Sequence, residues 1–189
     1  MSDVNRERVL RAATSSFLAH GYGSSVDVIA RRAGVAKQTV YHHFPSKDVL
    51  FKEVARALAK RVMVTLDSGS DLRATLVRFG VAYRKRALGA QGIRAFRTLV
   101  PEVPRFKALA RAMYAASAGE MARCLAAHLE AAMERGELRR DDALPAAEIL
   151  LGMLVGNDRV KRLFDVPLEE GDARRAARVV DCFLRAYQK

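Results

Sequence analysis

Residues 25–47, SVDVIARRAGVAKQTVYHHFPSK, leave the chain few choices, because a helical pattern stops at one glycine and restarts almost at once. Ser25 offers a side-chain oxygen to the free N–H groups of a first helical turn. Val26, Ile29 and Ala30 follow at i, i+3 and i+4, one apolar helical face. Ala33 is small where a second helix must cross closely, and Gly34 supplies the left-handed residue that closes the first helix. Val35 plugs the turn. A second helix, about 36–44, buries Val40 and Phe44 and exposes Lys37, Gln38, Thr39, Tyr41, His42 and His43. The pair makes a helix-turn-helix over 25–44, with a short polar second helix of the size the DNA major groove admits.

The rest of the chain reads as helix too. Alanine, leucine and arginine dominate, while 12 Gly and 5 Pro among 189 residues are too few to break it often. With 50% apolar residues it fills a sizeable core, as one compact unit or two small helical ones. The periodicity predicts helices over about 4–20, the pair above, 46–66 capped by Ser46, and 71–88 capped by Asp71 or Ser70 after a break at 67–70. Further helices follow over about 93–100, 105–135, 144–163 and 173–187. The expectation is an all-α fold of about nine helices, with a DNA-binding head over 1–50 and a larger helical domain over 51–189.

The formal charge is +12, which suits a polyanionic partner. It is not confined to the head: 1–66 holds 11 Lys and Arg against 5 Asp and Glu, and the remainder 22 against 16. An arginine-rich surface also fits a GC-rich genome, so the motif, not the charge, carries the DNA reading. Cys124 and Cys182 lie far apart, form no CxxC or metal-ligand spacing, and read as small core residues of a reducing, cytoplasmic compartment. The polar start MSDVNRERV is no signal peptide, and no apolar run approaches the roughly 20 residues that span a bilayer.

The flanks sharpen the motif. RVLRAATSSFL (8–18) and His20-Gly21-Tyr22 precede it, and Pro45-Ser46-Lys47-Asp48 with Leu50 follow. Together with Ile29-Ala30, Ala33-Gly34-Val35-Ala36-Lys37, Thr39-Val40-Tyr41 and His43-Phe44, this resembles the N-terminal domain of the TetR family of bacterial transcriptional regulators over about 6–54. One departure is the loop Gly23-Ser24-Ser25, three residues where the family usually has four, which leaves open which serine caps the helix.

The resemblance implies DNA contacts from Ser25, Lys37, Gln38, Thr39, Tyr41, His42, His43 and Lys47. Chemistry divides the labour among them. Gln38 can pair bidentately with adenine, and Lys37 can reach guanine or a phosphate. Thr39, Tyr41 and His43 suit phosphates, since their donors fix register without reading sequence; Tyr41 also suits packing at the junction with the first helix. Lys47 places a cation beside the free N–H groups of a helix start, a phosphate clamp. The neighbours His42 and His43 point about 100° apart on a helix with no third ligand near, so no metal site is expected.

The remainder resembles the family's ligand-binding and dimerisation domain, in particular one subclass through Pro101-Glu102, Pro104-Arg105-Phe106 and Gly136-Glu137-Leu138-Arg139. Phe79, Tyr83, Phe96, Leu99, Met113, Met121, His128 and Met153 have the apolar, sparsely polar make-up of an effector pocket, with ordinary core as the competing account of each. Leu150, Leu154, Val180, Phe183, Leu184 and Tyr187 offer a seam on the last two helices, where Gly152, Gly156, Ala176 and Ala177 allow close approach in a four-helix dimer bundle. The expected function is a homodimeric regulator, a repressor in the first instance, that leaves a pseudo-palindromic operator when an unknown small-molecule effector binds. No nucleophile–base pair, phosphate loop or cofactor motif suggests an enzyme. A non-specific nucleoid protein is the rival that the charge supports.

Overall fold

The computed structural model describes residues 2–66 and 71–188. Among them every regular element is helical: α1 Ser2–His20, α2 Val26–Ala33, α3 Lys37–His43, α4 Lys47–Met63, α5 Leu72–Leu88, α6 Ala90–Leu99, α7 Lys107–Tyr114, α8 Glu120–Glu134, α9 Ala143–Leu163 and α10 Asp172–Ala186. A π turn, Ala115–Gly119, joins α7 to α8 without a break, so the described residues form nine helical rods, as the all-α reading expects. The break expected at 67–70, and Ser70 as a cap, lie outside the described residues. Asp71 does cap α5, its carboxylate accepting the Ala74 N–H at 2.7 Å. Ser46 caps α4 through the Val49 N–H at 3.2 Å. Pro101 sits inside a short 3-10 turn, Val100–Glu102, that follows α6. No helix among the described residues is long and apolar enough to cross a membrane.

Packing divides the described residues into two compact units. The first comprises residues up to Leu58 together with Arg94–Ser117; the second comprises Ala59–Ile93 and Ala118 onward. In the first unit, Val9, Ala13 and Phe17 of α1 meet Ile29 and Ala33 of α2, Val40 and Phe44 around α3, and Leu50, Phe51 and Val54 of α4. Phe17 and Phe51 pack edge to face at 4.7 Å. Each large side chain buried this way stabilises by about 1.5–3 kcal/mol, so a few of them hold three short helices in place. Leu99, Leu109 and Met113 add to the same core from α6 and α7.

In the second unit α5 packs against α9 and α10, and α8 against α9. The α5 crossing is close because Gly80 has no side chain: a Cβ there would lie 2.9 Å from Leu154 Cδ2 and 3.2 Å from the Ala176 Cβ. One turn on, Arg84 is fully buried. Its Nη1 donates to the Leu154 carbonyl at 2.5 Å and to Asp158 at 2.7 Å, and its Nε to Asp172 at 3.1 Å. One side chain thus ties α5 to α9 and to the first turn of α10, an ionic bond that the periodicity of α5 does not announce.

Candidate nucleic-acid interface

The local chemistry that sets up α3 begins one helix earlier. Ser25 Oγ accepts the Val28 N–H at 3.2 Å, while Ser24 is buried and donates its hydroxyl to the Ser16 carbonyl at 2.9 Å. Ser25 is therefore the cap, and Ser24 ties the shortened loop to α1. Gly34 adopts φ 64°, ψ 41°, and the Val35 N–H reaches back to the Ala30 carbonyl at 3.1 Å, closing α2 in a left-handed turn. A β-carbon at Gly34 would also sit 2.5 Å from Arg8 Nη2, the group that donates to the Gly34 carbonyl.

Val40 and Phe44 anchor α3 from below, each 1% exposed. Lys37, Gln38, Tyr41 and His42 are exposed, whereas Thr39 and His43 are half-buried. The open face is narrower than expected, because at about 100° per residue the positions next to Val40 and Phe44 turn partly inward. Gln38 and His42 stack one turn apart on the exposed face. Gln38 makes no hydrogen bond among the described residues, so its amide is available as both donor and acceptor, the pair that adenine presents in the major groove. Tyr41 is exposed rather than packed. The His42 and His43 rings meet edge to face at 5.2 Å.

The two lysines are held differently. Lys37 Nζ lies 3.0 Å from Asp27, whose hydrogen bond and charge keep the ammonium above the usual lysine range. Both partners are exposed, so this ion pair is weak and easily exchanged. Lys47 is half-buried, with its ammonium 4.3 Å over the Tyr22 ring. Burial there pulls its pKa below the usual lysine value, opposed by Asp48. Tyr22 in turn donates its hydroxyl to Asp48. Burial first, then that hydrogen bond and the Asp48 charge, push the phenol up to about 12. Tyr22 also packs edge to face on Phe51 at 5.2 Å and Phe106 at 5.4 Å. Sequence periodicity marks Tyr22 simply as core; the ring is, but its hydroxyl and face hold the start of α4. No local spacing relates Tyr22 to Lys47 and Asp48, so only the fold reveals the trio.

The other expected residues separate. Leu99 and Met113 lie on the first unit's core, and Phe96 is exposed on α6. Phe79 and Met121 are buried in the second unit's core, Tyr83 and Met153 pack on that core, and His128 is half-buried. Packing on one core or the other thus accounts for most of the eight. Among the seam residues, Leu150, Leu154, Val180, Phe183 and Tyr187 are buried within their own chain, and only Leu184 is half-buried. A residue sealed by its own chain has no surface left for a second copy. Periodicity finds apolar spacing on these helices but not what covers it. The exposed stripe of α9 instead carries Ile149, Gly152, Gly156 and Val160.

A tight helix pair with an open polar second helix makes this a helix-turn-helix protein of the kind that reads duplex DNA. The sequence pattern described as "Bacterial regulatory proteins, tetR family" matches residues 9–54. The one described as "AefR-like transcriptional repressor, C-terminal domain" matches 74–189, more than half the chain. The chain belongs to the TetR family of transcriptional regulators. The uncharacterized HTH-type transcriptional regulator YhgD of Bacillus subtilis (strain 168) is 35% identical over 72 residues, 38% of each chain. The chain thus matches well under half the length of that curated relative. Among solved structures, a protein from Mesorhizobium loti MAFF303099 assigned to the TetR family superposes with a TM-score of 0.80 at 26% identity, over 100% of this chain and 99% of that one. The flavonoid-responsive regulator FrrA gives 0.74 at 29% identity, over 97% of each.

Proposed function

We propose that this chain is a cytoplasmic, homodimeric repressor that binds a pseudo-palindromic operator and leaves it when a small molecule binds. The observation that carries the DNA half is the α3 face, where Gln38, without a hydrogen bond among the described residues, stands one turn from His42 and is flanked by exposed Lys37 and Tyr41. Ser25, Thr39, His43 and Lys47 act on the backbone, with Lys47 presented from the face of Tyr22. Repression draws support from the C-terminal match to an AefR-like transcriptional repressor, and effector response from the likeness to a flavonoid-responsive regulator.

The dimer face is the exposed stripe of α9. Ile149 and Val160 are each 50% exposed, more than a lone protomer gains by exposing, and Gly152 and Gly156 let a second copy approach closely. A two-fold pair would set the two α3 helices against successive major grooves.

The test is operator selection from random duplexes, followed by binding at fixed salt. A preference of roughly 10³ or more over random DNA is expected of a regulator, and a ratio near one would leave a nucleoid protein in its place. The selected operator then serves to screen metabolites for release; release by none of them would remove the effector from the proposal.

A further inference from the structure

A cavity of about 170 Å3 opens beside the Tyr22–Lys47–Asp48 trio. Tyr22, Phe51, Leu99, Phe106 and Met113 contribute its apolar wall, and Glu102 and Ser117 its polar groups. Val103, Ala110 and Tyr114 line it as well, and the same three residues line a wider depression of about 450 Å3 that Lys107 and Arg111 complete. The shared residues make the two a single groove, apolar at its inner end and basic at its mouth.

Three features mark it as more than imperfect packing. Tyr114 and Val103 are 62% and 42% exposed along the groove, so apolar surface is left uncovered there. Lys107 and Arg111, a turn apart on α7, are exposed and form no ion pair among the described residues, against Glu102 as the one acid of the lining. The π turn Ala115–Gly119 begins just after Tyr114 and includes Ser117 of the wall, and such turns are frequent at functional sites.

We propose that this groove binds a small amphipathic carboxylate, its ring or short chain against Tyr22 and Met113 and its carboxylate on Lys107 and Arg111. Size and charge set the class. An apolar cavity of about 150 Å3 accepts one benzene ring, so about 170 Å3 holds one ring or an acyl chain of similar bulk, with the acid group left at the mouth. Paired cations at i and i+4 suit a carboxylate, for which arginine offers a two-pronged donor. Tyr22 is both wall of this cavity and seat of Lys47, so an occupant touches the residue that holds the start of α4. That consequence deepens the effector reading and rests on it; the binding itself does not.

The test is methionine-methyl NMR on the full chain, with the Met113 signal assigned through Met113→Leu. Phenylacetate, octanoate and the neutral phenylacetamide are titrated in turn. At least one acid should shift the Met113 methyl saturably with a Kd below about 1 mM, as expected of some ten non-hydrogen atoms, and leave buried Met133 of the second unit unmoved. The amide should bind at least about threefold more weakly than phenylacetate, and Lys107→Glu/Arg111→Glu, on exposed positions, should weaken the acids by a similar factor and spare the amide. Ala110→Phe should fill the cavity and abolish all shifts. No saturation by 10 mM of either acid, or an amide equal to its acid, would overturn the site; so would acids indifferent to the charge reversals. An acid that moves Met113 without loosening the operator supports the site and refutes the effector reading. A library effector that releases the operator while Met113 stays still supports an effector acting elsewhere and refutes the coupling through Tyr22.

Discussion

Arg84 offers the sharpest energetic test of how the second unit is held. Arg84→Met keeps most of the apolar stem and removes the guanidinium, and with it the bonds to Leu154, Asp158 and Asp172. Asp158, 14% exposed, is left as a carboxylate without its main partner; the Nε of Arg175 stands 3.7 Å away, too far for a good hydrogen bond. Asp172 is 29% exposed and regains water more easily. Breaking one side of a buried pair typically costs about 3–5 kcal/mol, most of it the stranded charge. In a domain of this size that lowers Tm by roughly 6–20 °C. Arg84→Met/Asp158→Asn should then recover at least about 1 kcal/mol, because the stranded charge is gone. Urea unfolding followed by circular dichroism measures both variants. A loss below about 1 kcal/mol in the single variant, or a double variant no better than the single, would mean that apolar packing around Gly80 and Leu154 holds α5 in place without the ionic bond.

Further outcomes concern the DNA face, the start of α4 and the dimer. Gln38→Ala should cost about 1–3 kcal/mol on the selected operator and little on random DNA; equal losses on both would move Gln38 to the backbone contacts and base reading to Lys37 or His42. Lys47→Ala should weaken both DNAs alike and lower the log–log salt slope by about one per head. Because burial holds Lys47 below the usual 10.5, its charge, and the DNA affinity that depends on it, should fade at lower pH than in Lys47→Arg, while the folding penalty of burying that charge fades over the same rise. Tyr22, raised from 10.0 to about 12, contributes its stabilisation fully below pH 10 and loses it as pH climbs toward 12, so Tyr22→Phe should flatten alkaline unfolding in that window. Ile149→Arg, at a half-exposed position, should give folded monomers by sedimentation with lost operator binding, whereas Phe183→Arg, at a 1% exposed position, should unfold the second unit instead.

Local chemistry made the head readable. A cap at Ser25, a left-handed Gly34 and apolar spacing through Val40 and Phe44 are short-range signals, and the fold repeats them residue for residue. What periodicity cannot carry is which neighbour covers an apolar face. Leu150 and Ile149 are adjacent and alike in sequence, yet one is sealed in the core and the other is half-exposed. The same limit hides the cavity, whose wall joins Tyr22 and Phe51 to Phe106 and Met113 across long stretches of chain. It also hides Arg84, which reads as one more surface arginine until Asp158 and Asp172 arrive from α9 and α10. The expected helix over 105–135 conceals its π turn for a related reason, since Ala115–Gly119 is as helix-friendly in composition as its flanks.

The sealing of Leu150 and Leu154 within one chain reaches beyond packing. A protomer whose interior closes on itself holds its shape before it meets a second copy, so in the proposed homodimer folding and pairing are separate equilibria. At low abundance the cell would then contain folded single heads, each able to touch only one half-site. Operator occupancy would rise with the square of protomer concentration, and the number of molecules made per cell would itself become a threshold for silencing a gene.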